Sequence, residues 1–135
     1  MFAASVTRAI VAIFMFALMA MSASAVPLVK RTYTGDATFF IPATGACGIT
    51  NTPTDMIAAV SVEVFDNFPG ATANPNSNPI CGSQLVANYQ GLSVTVAVTD
   101  RCVGCDTGSI DLTEAAFRIL SPVEDRIHGV TWDFI

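Results

Sequence analysis

Four cysteines, Cys47, Cys81, Cys102 and Cys105, all lie downstream of a leader-like N-terminal segment. An even cysteine count in a small exported chain reads as two disulfides, and two bridges in so short a chain call for a stapled, loop-rich domain. Three pairings are possible, and Cys102 with Cys105 and Cys47 with Cys81 is the favoured one. Other uses of a C-x-x-C fit less well. A structural zinc site needs four ligands, and the one histidine, His128, has no cluster around it. A thioredoxin-type redox motif follows a strand and opens a helix in a βαβ setting, which this chain does not display.

The leader begins with one positive charge, Arg8, followed by AIVAIFMFALMAM and then SASAV. The apolar run from Ala9 to Met21 is about 13 residues, against the roughly 20 that a membrane-spanning helix requires. Ala23-Ser24-Ala25 supplies the small residues a signal peptidase needs, so residues 1–25 read as a signal peptide and residues 26–135 as one secreted, extracellular domain. Lys30-Arg31 is a second candidate processing point.

With the leader removed, five Lys and Arg face eleven Asp and Glu, a formal charge of about −6. So acidic a chain is a poor partner for nucleic acid, and no basic amphipathic stretch favours an anionic membrane. About 110 residues suffice for one core and not two. No metal or organic cofactor is indicated, and a monomer is the default because no obvious apolar stripe is present.

TYTGDATFFI reads as a strand interrupted at Gly35, and GACGIT as a loop. Asp55 to Phe65 is either strand or short helix, or one leading into the other; periodicity alone does not separate them. Asn67 to Pro79 reads as a long surface loop. Leu92 to Thr99 alternates with valines at 94, 96 and 98 and predicts a half-buried strand, with Gln84 to Asn88 as its hairpin partner across a turn at Tyr89-Gln90-Gly91. Further on, Leu112, Ala115, Ala116, Ile119 and Leu120 share one helical face, with Asp111 at the helix start and Pro122 just past its end. Ile127 to Ile135 alternates again and predicts a last strand. Strands on both sides of one short helix, without βαβ alternation, imply a small closed barrel.

The order GDATFF, GACG, TDMIAAV, ICG, VTVAVTDRCVGC, IDLTEAAF and VTWDF resembles the double-psi β-barrel of expansin-like proteins, most closely the single-domain loosenins and the rare lipoprotein A barrel. VTDRCVGC followed by IDLTEAAF is the most specific part, since it joins strand, cysteine clip, acid and helix in sequence. The resemblance implies a mainly β fold, a six-stranded barrel with one or two short helices, and an open groove for cell-wall polysaccharide such as cellulose or chitin. It marks Asp111 as the functional acid, Asp100 as a second groove acid and Thr38 as a polar groove residue. It also implies the single-domain form, without a following carbohydrate-binding domain.

Each site residue has a plainer reading. Asp111 with Glu114 three positions on resembles a capping box, worth about 1 kcal/mol. Asp100 is an ordinary turn-capping carboxylate. Tyr33, Phe39, Phe40, Tyr89 and Trp132 are candidate sugar platforms, with Phe40 and Tyr89 preferred for substrate contact and Trp132 assigned to the core. Glycoside hydrolysis ordinarily takes two carboxyl groups. In the first strand the only carboxylate is Asp36, an outside candidate, so binding and loosening without appreciable hydrolysis is the expectation. The alternatives are a lytic transglycosylase or weak glycosidase using Asp111 as acid, and a secreted protein-interaction or effector module on the same barrel.

Overall fold

A computed structural model describes residues 31–135; the signal-peptide assignment lies outside the described residues. Six strands follow one another along the chain: β1 (Tyr33–Phe40), β2 (Ile57–Ser61), β3 (Gln84–Tyr89), β4 (Leu92–Cys102), β5 (Ile110–Thr113) and β6 (Arg126–Phe134). Helix α1 (Val62–Asp66) follows β2, and α2 (Glu114–Leu120) follows β5. The strands close in the order β1-β5-β2-β4-β3-β6, with β1/β5 and β2/β4 parallel and every other neighbour antiparallel. This is the six-stranded double-psi barrel that the resemblance implies.

Alternation fills the interior. Val94, Val96 and Val98 of β4 are buried together with Leu85, Ala87, Ile110, Leu112, Ile127, Val130 and Trp132, while the residues between them face outward or are only partly covered. Complete burial of β2 explains why its sequence shows no clean period. The β3–β4 hairpin closes through Gln90 and Gly91, both at positive φ (46° and 81°), the pair of left-handed residues that matches the strands' own twist. Helix α2 lies across β4, β1 and β5, where Phe117 meets Phe39 at 5.2 Å between ring centres.

Both favoured disulfides are present, Cys47–Cys81 and Cys102–Cys105. The first ties the GACG loop to the end of the 67–79 connection. That connection is anchored at its C-terminal end by buried Asn78, whose amide donates to the Phe65 carbonyl and accepts from the Ile80 N–H.

The predicted helix begins two residues too early. Asp111 is not its N-cap but lies in β5, and the capping residue is Thr113, whose hydroxyl donates instead to the Asp55 carbonyl. Ile110–Thr113 gains two ladders at once, parallel to β1 and antiparallel to β2, and those interstrand bonds outweigh one more helical turn. Glu114 consequently pairs with Arg118, 3.4 Å away, rather than closing a capping box. Leu112 points into the barrel, Phe117 joins Ala116 and Leu120 on the buried face, and Ile119 is 47% exposed. Strand β4 also runs on to Cys102 past a bulge at Thr99, so Asp100 sits inside a strand and not at its end.

Candidate functional site

The register of β1 against β5 sets Thr38 beside Asp111, and the Thr38 hydroxyl donates to Asp111 Oδ1 at 2.8 Å. On the other side of β1, β6 places Arg126 opposite Thr38. Alternation along β1 puts Asp36 on the same outer face as Thr38, and an extra residue in β6 between Ile127 and Val130 shifts the pairing beside it. These residues, with Ser109 and the Cys102–Cys105 clip, wall an open polar cleft of about 420 Å³.

Two glycines make this arrangement possible. A Cβ on Gly108 would stand 2.0 Å from the Thr34 carbonyl oxygen, and one on Gly35 would stand 2.5 Å from the Gly108 carbonyl carbon. The segment entering β5 can therefore cross β1 only as bare backbone. The crossing is held by the Asp36 N–H donating to Ser109 Oγ (3.0 Å) and by Trp132 Nε1 donating to the Gly108 carbonyl (2.8 Å).

The carboxylates in and around the cleft differ in their environments. Burial raises the Asp111 carboxyl above the ordinary carboxylate value; the Thr38 hydrogen bond and the Arg126 charge oppose this, and the Asp100 charge adds to it. Asp36 is held below its ordinary value, first by its hydrogen bond from His128 (2.7 Å) and further by Arg126, which donates to its other oxygen at 3.0 Å. Asp100 Oδ1 accepts from the Ala46 and Arg101 N–H groups, each at 2.8 Å, and so pins the GACG loop to β4.

Of the residues singled out from sequence, the fold brings Thr38 and Asp111 into direct contact and sets Asp100 across β2 from Asp111, both opposite Ala59, outside the cleft's lining. Phe40 lies two residues beyond Thr38 on β1, partly covered, and Tyr89 packs against the core at the β3 hairpin; neither walls the cleft. Trp132 is fully buried, as expected of a core residue. Asp36, only an outside candidate from sequence, is part of the wall because strand alternation sets it on the same face as Thr38. Arg126, His128 and Ser109 were missed. Only the two-residue spacing of Arg126 and His128 hinted that both occupy one face of the last strand.

Among the described residues no group of three or more His, Cys, Asp or Glu is placed to hold a metal, and no helix is long and apolar enough to cross a membrane.

No protein-family model matches the chain. It is 38% identical over 96 residues to the papain inhibitor of Streptomyces mobaraensis, covering 67% of this chain and 62% of that one. It is also 36% identical over 116 residues to an Asp f 7 allergen homolog of Arthroderma benhamiae, covering 76% of this chain. The chain thus spans 38% and 62% of the length of these curated relatives. In structure, the apo form of a Clavibacter michiganensis expansin superposes with a TM-score of 0.61 at 27% identity, covering 78% of this chain and 50% of that one. An aspartate-to-asparagine variant of that expansin, solved with cellohexaose, has the same TM-score at 23% identity. The structure of the Streptomyces papain inhibitor superposes with a TM-score of 0.69 at 32% identity, covering 78% of this chain and 94% of that one, and the chain belongs to this inhibitor's family of double-psi β-barrels.

Proposed function

We propose that this protein is exported, binds a cell-wall polysaccharide chain along the Asp111 cleft and loosens its packing without appreciable hydrolysis. The observation that carries this reading is the Thr38–Asp111 pair set in the wall of an open polar cleft. Burial favours the protonated form of Asp111, and a carboxylic acid both donates to and accepts from a sugar hydroxyl. The other carboxylates near it are engaged, Asp36 by Arg126 and His128 and Asp100 by two backbone amides. That leaves Asp111 to grip a glycan hydroxyl rather than to share the two-carboxylate work of hydrolysis. Binding free energy then offsets the lateral hydrogen bonds that hold one glycan chain to the next. A related barrel that carries cellohexaose supports the substrate class, and two disulfides suit an oxidising, extracellular setting.

The test is a paired assay of the mature protein and Asp111→Asn on insoluble cellulose and chitin, recording bound fraction, soluble sugar and mechanical weakening. Binding and weakening without released sugar, with weakening lost in the variant, supports the reading. Sugar release abolished by the substitution replaces it with a glycosidase or lytic transglycosylase. A second reading, capture of a protein partner, is favoured by kinship with the papain inhibitor and by Val103, 86% exposed at the tip of the Cys102–Cys105 clip. Inhibition of papain that Val103→Asp abolishes, together with no binding to either polymer, would select it.

A further inference from the structure

The Asp111 cleft does not end at the disulfide clip. It meets a shallow trough of about 640 Å³ at Cys105 and Asp106, and that trough meets a pocket of about 410 Å³ at Glu63, Asn67 and Thr107. The three hollows therefore adjoin one another along the segment that precedes β5.

The rail between them is hydrogen-bonded to its neighbours on both sides. Thr107 donates to the Glu63 carboxylate, Ser61 donates to the Thr107 carbonyl at 3.1 Å, and Trp132 holds the Gly108 carbonyl. Such a wall keeps its shape for an extended ligand instead of folding over it.

At the far end three half-buried rings reach the surface. Tyr33 lies flat on the buried Trp132, with ring centres 4.1 Å apart and 12° between planes. Phe134 meets Tyr33 edge-on at 6.4 Å, and Phe68 meets Phe134 at 5.5 Å. Polar groups of Glu63, Asn67 and Thr107 rim these rings, and the Arg31 guanidinium stands over Tyr33, 5.8 Å from its ring centre, so Phe68 and Phe134 offer the freer ring surface. Aromatic faces bordered by donors and acceptors suit a sugar ring, which carries apolar C–H faces and equatorial hydroxyls. The middle of the groove holds Asp106, Glu63 and Asp66, with Arg101 engaging Asp66 at 2.8 Å, so a polyanionic glycan is disfavoured there.

We infer that the groove extends from Asp111 across the Cys102–Cys105 clip to an aromatic end subsite formed by Tyr33, Phe68 and Phe134, and that it takes several units of an uncharged glycan. This rests on the glycan reading above and adds a second anchoring point at the opposite end of the groove.

The experiment is titration of the mature protein with cello- and chito-oligosaccharides from disaccharide to octasaccharide, comparing wild type, Phe68→Ala, Glu63→Gln and Asp111→Asn. Affinity rises with chain length in the wild type, and Phe68→Ala weakens the octasaccharide by about tenfold, the scale of one aromatic contact. Trp132 is the only tryptophan and reports the far end through Tyr33, so saturating octasaccharide alters its emission in the unmodified protein. Thermal midpoints confirm that each variant is folded. Wild-type octasaccharide affinity in Phe68→Ala, or unchanged Trp132 emission at saturation, overturns the end subsite while loss in Asp111→Asn leaves the glycan reading standing. Equal affinity for a polyuronate overturns the charge argument, and no binding of any oligosaccharide by the wild type removes both.

Discussion

Thr38 donates its hydroxyl proton to Asp111 across 2.8 Å, joining positions 73 residues apart in the chain. The contact is a consequence of one parallel strand pairing, and it gives the cleft its acid in a fixed orientation. Removing the donor while keeping the shape, Thr38→Val, is expected to push the Asp111 carboxyl higher still, because the lost hydrogen bond favours the ionised form. The native state should lose about 1 kcal/mol where Asp111 is ionised. A carboxyl-carbon NMR titration of both proteins measures the first effect and urea unfolding the second.

Asp111 itself should weaken the fold as pH rises. Its native carboxyl lies above the ordinary value of 3.8, so the folded state holds this proton more tightly than the unfolded chain does. The associated stability is complete below the unfolded value and is lost as pH climbs through the native one. Asp111→Asn retains an oxygen to accept from Thr38 but has no such proton. Its stability relative to wild type should therefore increase with pH across that window, measured as urea midpoints from about pH 3 to about pH 8.

Gly108→Ala should be among the most damaging small substitutions in the chain. The added methyl would meet the Thr34 carbonyl at 2.0 Å, and both sides of that contact are backbone. A loss of about 3 kcal/mol is expected, with the cleft distorted as well. Gly104→Ala, four residues away on the clip, meets nothing within 4 Å and should stay within about 0.5 kcal/mol of wild type. Thermal unfolding of the two variants side by side checks the contrast.

The two disulfides should contribute unequally. Cys47–Cys81 spans 34 residues and Cys102–Cys105 spans 3. Loop-closure entropy predicts about 4 kcal/mol lost on replacing the first pair with alanines and about 2 kcal/mol for the second. Denaturant unfolding of the two double variants measures both. The second pair should instead affect the cleft, because the clip forms part of its wall.

Local chemistry determined much of this molecule. Alternating valines predicted β4, Gln90-Gly91 the hairpin, and an even cysteine count the two staples, because these depend on neighbours in sequence; the predicted interruption at Gly35 is absent, since β1 runs unbroken from Tyr33 to Phe40. Asp111 shows where such reasoning ends. By local pattern Asp111 is a helix cap, and only the two ladders that β5 forms with β1 and β2 make it a strand residue beside Thr38. Asp36, Arg126 and His128 converge for the same reason: β6 closes the barrel against β1, with one extra residue in β6 shifting the register beside Asp36. The aromatic end of the groove depends on packing between the first and last strands. Strand pairing between distant segments is set by the free energy of the closed barrel as a whole, and no window of sequence contains both partners.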